Sequence, residues 1–345
     1  MRPPRAAADG PGRRLPPAEP DRRATRTIAG VRYVKGHGTG NDFVILPDPD
    51  GELNGGELNG GELDRGELKL DAGLVRALCD RRTGIGGDGV LRVVLTAAEP
   101  AAAAAADARV ARWFMDYRNA DGSIAEMCGN GIRVFARYLV AAGYEAPGRL
   151  TIATRAGLRV VDVPADGDVT VDMGPPEITR DGPVPVTVAG REFAATAVSM
   201  GNPHAVCFAD DLTPTGLAGL RLDAPTLPGD VFPDGANVEV VVGRPGGGVA
   251  MRVYERGVGE TASCGTGACA VAVAEVLRRG DRPPAEVEVE LPGGRLVVVW
   301  RESTVLLRGP AVLVSDGILR DAWLREAVAR PAGAVGVPVG ADGSR

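Results

Sequence analysis

The sequence predicts an α/β chain built from two pseudo-symmetric halves, and three observations carry that reading. The segments Met127-Cys128-Gly129-Asn130-Gly131 and Ser263-Cys264-Gly265-Thr266-Gly267 are near copies of one another. Each follows a β-branched and aromatic run, Ala111 to Tyr117 in one half and Val249 to Tyr254 in the other, of the kind that forms strands. Each also opens an amphipathic stretch closed by a glycine, Gly143 or Gly280, as helices end on a left-handed residue. A strand–loop–Cys–helix unit used twice puts one thiol at the N-terminus of each of two helices.

Along the chain, residues 1–26 are rich in Pro, Arg, Ala and Asp without apolar periodicity and are expected to be a disordered tail. Arg13-Arg14 is followed by no apolar stretch, which argues against a twin-arginine export signal. Val31 to Val34 and Phe43 to Leu46 read as strands flanking a turn from Gly36 to Asp42. The stuttering GELNG, GELNG, GELDR, GELKL units, near 51–70, are too short and polar for a solenoid and read as a surface insertion. A helix is expected from Ala72 to Asp80 and a strand from Val90 to Leu95. Gly84, Gly86 and Gly89 between them satisfy G-x-G-x-x-G. That pattern binds dinucleotides only in the order strand, glycines, helix, and here the order is reversed. The alanine-rich stretch near 97–108 reads as a second solvated insertion, and 330–345 as a flexible tail.

Composition narrows the function. A net charge of −6 and a hydrophobic fraction of 44% suit a globular protein with no nucleic-acid or anionic-membrane partner. No apolar run could span a bilayer or serve as a signal sequence. Five scattered cysteines suit reduced thiols in a cytoplasm. The chain has two lysines, Lys35 and Lys69, which leaves little room for a Schiff-base cofactor, and its two histidines, His37 and His204, cannot build a histidine-rich metal site. No cofactor and no metal are expected.

Helix N-termini carry unpaired N–H groups and the positive end of the macrodipole. Such a position lowers a thiol's pKa from about 8.5 toward neutrality, so one thiolate and one thiol are expected at rest. Glycines leave the same N–H groups free to hold a carboxylate. Two such ends facing each other present a sulfur to each face of the adjoining carbon, which suits inversion of an amino-acid α-carbon by two acid–base groups. Lone cysteines otherwise pack as small apolar residues, and Cys79, Cys207 and Cys269 are read that way.

The surroundings of the two cysteines resemble the diaminopimelate epimerase family. The resemblance spans roughly residues 30 to 323 in six blocks: HGTGNDFVIL from His37, RRTGIGGDGVL from Arg81, YRNADGSIAEMCGNGIRVFARYL from Tyr117, MGNPHAV from Met200, GANVEVV from Gly235 and RVYERGVGETASCGTGACA from Arg252. It implies two similar domains, each a curled mixed sheet around a central helix, with the active site in the cleft between them. The boundaries expected are 27–173 with a returning strand at 310–323, and 174–309.

The resemblance also implies roles for single residues. Cys128 and Cys264 match the catalytic pair, and Gly129, Asn130, Gly265 and Thr266 match the helix-start residues that hold the reacting carboxylate. Asn41, Asn119, Asn202, Asn237, Glu255 and Arg256 match polar contacts with the two ends of diaminopimelate. His204 and Glu255 match positions that influence the thiol pKa values. Gly89 falls where some members carry a polar side chain near the substrate, so no contact is assigned to it. The implied activity interconverts LL- and meso-2,6-diaminopimelate, with a homodimer as the oligomeric option.

Alternatives remain open from sequence alone. Asn41, Asn119 and Asn202 also fit ordinary turn residues, and Arg256 fits a surface ion pair. Another enzyme on the same fold, such as a proline or hydroxyproline racemase or an isomerase using a carboxylate, would not need Asn119, Asn237 and Arg256, which suit a second amino-acid end. A redox-switched binding protein would need the thiols but not the glycine cradles.

Overall fold

The computed structural model describes residues 30–53, 68–103 and 108–329. The predicted tails at 1–26 and 330–345, and the centres of both predicted insertions, lie outside the described residues. The first half contains β1 (Val31–Gly38), β2 (Asn41–Pro47), α1 (Ala72–Cys79), β3 (Gly89–Leu95), α2 (Pro100–Ala103), β4 (Trp113–Asn119), α3 (Gly129–Ala141), β5 (Gly148–Thr154), β6 (Gly157–Val163) and β7 (Val169–Asp172). After β8 (Glu177–Ile178) and β9 (Val184–Val188) come β10 (Arg191–Ser199), β11 (Pro203–Phe208), α4 (Pro214–Ala218), β12 (Asn237–Gly243), β13 (Val249–Glu255) and β14 (Gly259–Thr261). The chain continues through α5 (Gly265–Arg278), β15 (Ala285–Leu291), β16 (Gly294–Trp300), β17 (Val305–Gly309), β18 (Val312–Leu319) and α6 (Asp321–Ala329).

The two halves repeat one pairing pattern. β1–β2 is antiparallel, β2–β3 parallel, β3–β4 antiparallel, β4–β5 parallel, and β5–β6 and β6–β7 antiparallel. The second half gives the same succession through β10, β11, β12, β13, β15, β16 and β17. β7 and β17, the last strand of each series, pair with each other antiparallel and join the two sheets. β18 then returns to the first half and pairs with β1.

The helices α3 and α5 follow the equivalent strands β4 and β13 and are wrapped by the sheets. Ile132, Phe135 and Leu139 of α3, and Ala268, Val271 and Val273 of α5, are buried in one continuous core. Both helices end as the sequence suggests. Gly143 and Gly280 adopt positive φ, and the next residue's N–H bonds back to a carbonyl in the last turn, Tyr144 to Leu139 and Asp281 to Val276.

Several expectations need correction. The turn at Gly36 to Asp42 is much tighter than expected. β1 runs to Gly38 and β2 starts at Asn41, leaving Thr39 and Gly40, both at positive φ, as a two-residue hairpin turn. The predicted last strand stops at Leu319. The segment after it forms α6, which buries Leu324 and Ala327 in the cluster that holds α1.

The flanks of both insertions are packed rather than solvated: Leu53, Leu68 and Leu70 are buried in the α1 cluster, and Ala102 packs against Val94 and Phe114. One buried residue, Arg92, pins both flanks, bonding Asp48 at 2.6 Å on one side and Glu99 at 2.7 Å on the other. Among the described residues no helix is long and apolar enough to cross a membrane.

The β1–β2 turn also meets the second half directly. A Cβ on Gly293, in the β15–β16 turn, would lie 1.8 Å from the Thr39 carbonyl oxygen. Gly293→Ala therefore forces the two halves apart and is expected to cost about 3 kcal/mol or more in a urea denaturation curve. A midpoint equal to that of the wild type would contradict this account of the contact.

Candidate active site

The duplicated helix starts meet. A Cβ on Gly265 would lie 3.4 Å from Gly129 Cα and 3.6 Å from the Asn130 nitrogen, so bare backbone faces bare backbone. Cys128 and Cys264 are the N-cap residues of α3 and α5, in matching extended conformations. The Cys128 Sγ accepts the Gly131 N–H at 3.3 Å, the capping bond of an N-terminal side chain. All five cysteines are free thiols. Cys79, Cys207 and Cys269 are buried away from this junction, as expected of packing cysteines.

A buried polar network fastens the junction from behind. Asn130 Nδ2 donates to Ser263 Oγ at 3.1 Å and to the Ser263 carbonyl at 3.3 Å, and Thr39 Oγ1 lies 2.7 Å from Ser263 Oγ. Arg133, fully buried one turn into α3, donates to Asn130 Oδ1 at 2.9 Å and to the Gly129 carbonyl at 3.0 Å. The Asn130 side chain is thus committed to the frame, and only its backbone N–H is available at the helix start.

Around Cys128, Asn41 at the head of β2 accepts from the thiol at 3.6 Å through Oδ1, and its Nδ2 donates to Asp88 at 2.8 Å. Asn119 closes β4 and donates to Ser123 Oγ at 3.0 Å. Around Cys264, the Sγ lies 3.5 Å from Thr266 Oγ1, which accepts from Asn202 Nδ2 at 3.4 Å. The Asn202 Oδ1 faces His204 Nε2 at 3.1 Å, and His204 Nδ1 faces Glu239 Oε1 at 2.7 Å. Asn237 Oδ1 accepts the Arg256 N–H at 2.9 Å, which fixes the end of β13. The Arg256 guanidinium reaches only the Asp234 carbonyl, at 3.5 Å, and has no carboxylate partner among the described residues.

The electrostatics correct one expectation. The thiols are not poised near neutrality. Burial pushes Cys128 up to about 11, with the Glu255 carboxylate adding to the rise, against the pull of the Gly131 and Asn130 N–H groups and of Arg133. Cys264 is pushed well above its ordinary value by burial and by the carboxylates Glu255 and Glu239. Desolvation outweighs the helix terminus at both positions, which favours the protonated thiol at each. Burial also raises the Glu255 carboxyl, opposed by hydrogen bonds from Thr261 and Cys264.

The sequence reading missed Glu239, Arg133, Thr39 and Ser263. Glu239 is the lone carboxylate in Val238-Glu239-Val240-Val241, and Arg133 the lone cation in Ile132-Arg133-Val134-Phe135. A single charge inside an apolar run is the signal that would have found both.

A family model described as diaminopimelate epimerase matches residues 33–179 and 196–314. A diaminopimelate epimerase of Streptomyces coelicolor is 50% identical over 87% of this chain and 99% of its own length. That of Thermobifida fusca is 49% identical over 86% of this chain and 100% of its own. A Bacillus anthracis protein of the PhzF family shares the fold at a TM-score of 0.58 and 15% identity, over 85% of this chain and 100% of its own. A hydroxyproline epimerase from Agrobacterium vitis does so at 0.52 and 15%, over 86% and 94%.

With both thiols protonated at rest, iodoacetamide should label Cys128 slowly at pH 7.5, and the rate should climb toward pH 11 as the thiolate forms. A labelling rate already saturated near pH 8, read from the Cys128 peptide by mass spectrometry, would reject the desolvated thiol.

Proposed function

The chain belongs to the diaminopimelate epimerase family, and on that premise we infer that Cys128 and Cys264 are the two groups that exchange a proton with opposite faces of the α-carbon. The enzyme interconverts LL- and meso-2,6-diaminopimelate, an isomerisation that serves lysine and peptidoglycan-precursor synthesis. The observation that carries the residue assignment is the meeting of two cysteine-capped helix starts, Gly129 against Gly265.

The reacting carboxylate fits at the mouth of the paired starts, where the N–H groups of Gly129, Asn130, Gly265 and Thr266 and both macrodipoles favour an anion. A sulfur then lies on each side of the α-carbon. One takes the proton as thiolate while the other, as thiol, gives its own proton to the opposite face. The roles swap for the reverse direction. Asn41, Asn119 and Glu255 supply acceptors for ammonium groups. Arg256, unpaired by any carboxylate among the described residues, has the planar fork that suits the distal carboxylate. Asn202 and Asn237 complete that end, and His204 with Glu255 sets the charge beside Cys264.

Binding also changes the charge around the thiols. The substrate ammonium brings a positive charge against Glu255, one of the groups that hold both thiols protonated. Loss of one thiol proton to solvent as substrate enters is thereby favoured, leaving one thiolate and one thiol for the exchange. The two-domain division at 27–173 with 310–323, and 174–309, is supported by the β18–β1 return and the β7–β17 seam. A homodimer belongs to the same reading, with exposed Val312, Val314 and Ile318 of β18 as the apolar face a second copy would cover.

Incubating reduced enzyme with LL-diaminopimelate in deuterated water should yield meso product carrying deuterium at one α-carbon. Cys128→Ala and Cys264→Ala should each lose at least about a hundredfold in turnover. Wild-type levels in either variant would remove that cysteine from the chemistry.

A further inference from the structure

Half-site symmetry breaks at one buried cation. Counting from the two cysteines, Arg133 on α3 occupies the place that Cys269 occupies on α5. Its side chain is fully buried, and among the described residues no carboxylate lies within ion-pair distance of it. Its acceptors are all neutral: Asn130 Oδ1, the Gly129 carbonyl, Thr39 Oγ1 at 3.3 Å and the Pro310 carbonyl at 3.4 Å. Glycines make the slot. A Cβ on Gly38 would lie 3.1 Å from the guanidinium, and one on Gly309 3.5 Å from it. Burial brings Arg133 down to about 10, so it still carries its charge at neutral pH. Leaving such a charge without a carboxylate is expensive, and a neutral side chain of the same shape would avoid the expense.

What the cation does follows from hydrogen-bond direction. A guanidinium only donates, so Asn130 must turn Oδ1 to it and Nδ2 away. That Nδ2 donates to Asn41 Oδ1 at 3.4 Å as well as to Ser263. Asn41 then donates through Nδ2 to Asp88, which as a carboxylate only accepts. The relay Arg133, Asn130, Asn41, Asp88 has a donor-only head and an acceptor-only tail, so both amides have a fixed polarity. Cys128 meets this relay at Asn41 Oδ1, and Cys264 is tied to it through its neighbour Ser263.

We propose that Arg133 is a positioning residue for both thiols, holding the Asn130–Asn41 relay in one polarity and placing a positive charge behind Cys128. The inference rests on the two-thiol reading above and adds to it a residue outside substrate reach. The ionisable groups bearing on Arg133 are Cys128 on its own helix, Cys269 on α5 and Asp168 ahead of β7. Those bearing on Cys128 besides Arg133 are Glu255 and Tyr117.

The test compares Arg133→Lys, which keeps a donor-only cation, with Arg133→Gln, which can present either polarity and no charge. Turnover of LL-diaminopimelate is measured per folded molecule. Iodoacetamide labelling of Cys128 is followed against pH, with Cys264→Ala as background. Arg133→Gln should lose about tenfold or more in kcat, and its labelling curve should move up by about one pH unit. Arg133→Lys should keep the wild-type labelling curve and recover most of kcat. An unmoved labelling curve in Arg133→Gln would reduce Arg133 to a packing residue and overturn the proposal.

Should Arg133→Gln fail to fold, Asp88→Asn tests the other end of the relay on a partly exposed side chain. A kcat lowered about fivefold or more at unchanged Tm supports the relay, and unchanged kcat overturns it. Wild-type turnover with inactive Cys128→Ala and Cys264→Ala, run alongside, shows whether a failure belongs to the relay alone or to the two-thiol reading itself.

Discussion

Two helix N-termini that meet glycine to glycine, packed against Leu307, are the constraint on which the site depends. Each end carries about half a positive charge, so bringing them together is repulsive. The rest of the fold works against that repulsion. The β7–β17 ladder closes the two sheets on each other, and Thr39, Ser263 and Asn130 bolt the two starts together from behind. Gly265 allows the approach because a Cβ there would press on Gly129 Cα and on Leu307, and a Cβ on Gly129 would press on Met173 and Leu307, which pack against the junction. An anion placed at the mouth of the paired starts relieves the repulsion it meets, so affinity for a carboxylate is built into the backbone.

Backbone symmetry at this junction supports an asymmetric charge distribution. By strand register, Phe43 pairs with Gly89 where His204 pairs with Asn237, and Leu91 takes the place of Glu239. The space under Gly131 is filled by Leu91 and Phe43, whereas Glu239 lies under Gly267. Cys128 therefore sits over apolar packing with a cation behind it, and Cys264 over a carboxylate and a histidine. A reaction that inverts one carbon needs two similar positions, but its two faces need not be chemically identical. The sequence of α3 and α5 shows the same divergence in miniature, since Asn130 and Arg133 stand opposite Thr266 and Cys269.

Much of this was legible before any coordinates. The duplicated cysteine motif announced the two halves, and Gly143 and Gly280 marked both helix ends because left-handed C-terminal positions select glycine. Motif matching singled out Asn41, Asn202 and Thr266, and in the structure Asn41 accepts from Cys128, Thr266 lies beside Cys264 and Asn202 donates to Thr266. Long-range effects were not legible. Whether a polar stretch is solvated depends on partners far away, so the flanks at Leu53 and Ala102, pinned through Arg92, read as exposed. The amphipathic Asp321–Ala329 segment overlaps the expected strand at 321–323 and has no reading beyond it, because its partner, α1, is distant in sequence. Thiol ionisation failed for the same reason: the helix terminus is local and visible in sequence, while burial by the opposite half is not.

The raised thiol pKa values are a property the chemistry can use. Proton transfer follows Brønsted behaviour, so a thiolate whose conjugate acid lies near 11 is a stronger base toward an α-proton than one near neutrality. Its weakness is population, because a thiol raised so far is almost wholly protonated at pH 7. Burial favours protonated sulfurs, and Cys128 donates to Asn41. Substrate brings an ammonium group to carboxylates that oppose ionisation, while its carboxylate occupies the paired helix starts. The same closure that desolvates the thiols also excludes the water that would otherwise level their basicity. Basicity and burial are thus one feature of this site, and separating the two halves to make the thiols more acidic would also weaken them as bases.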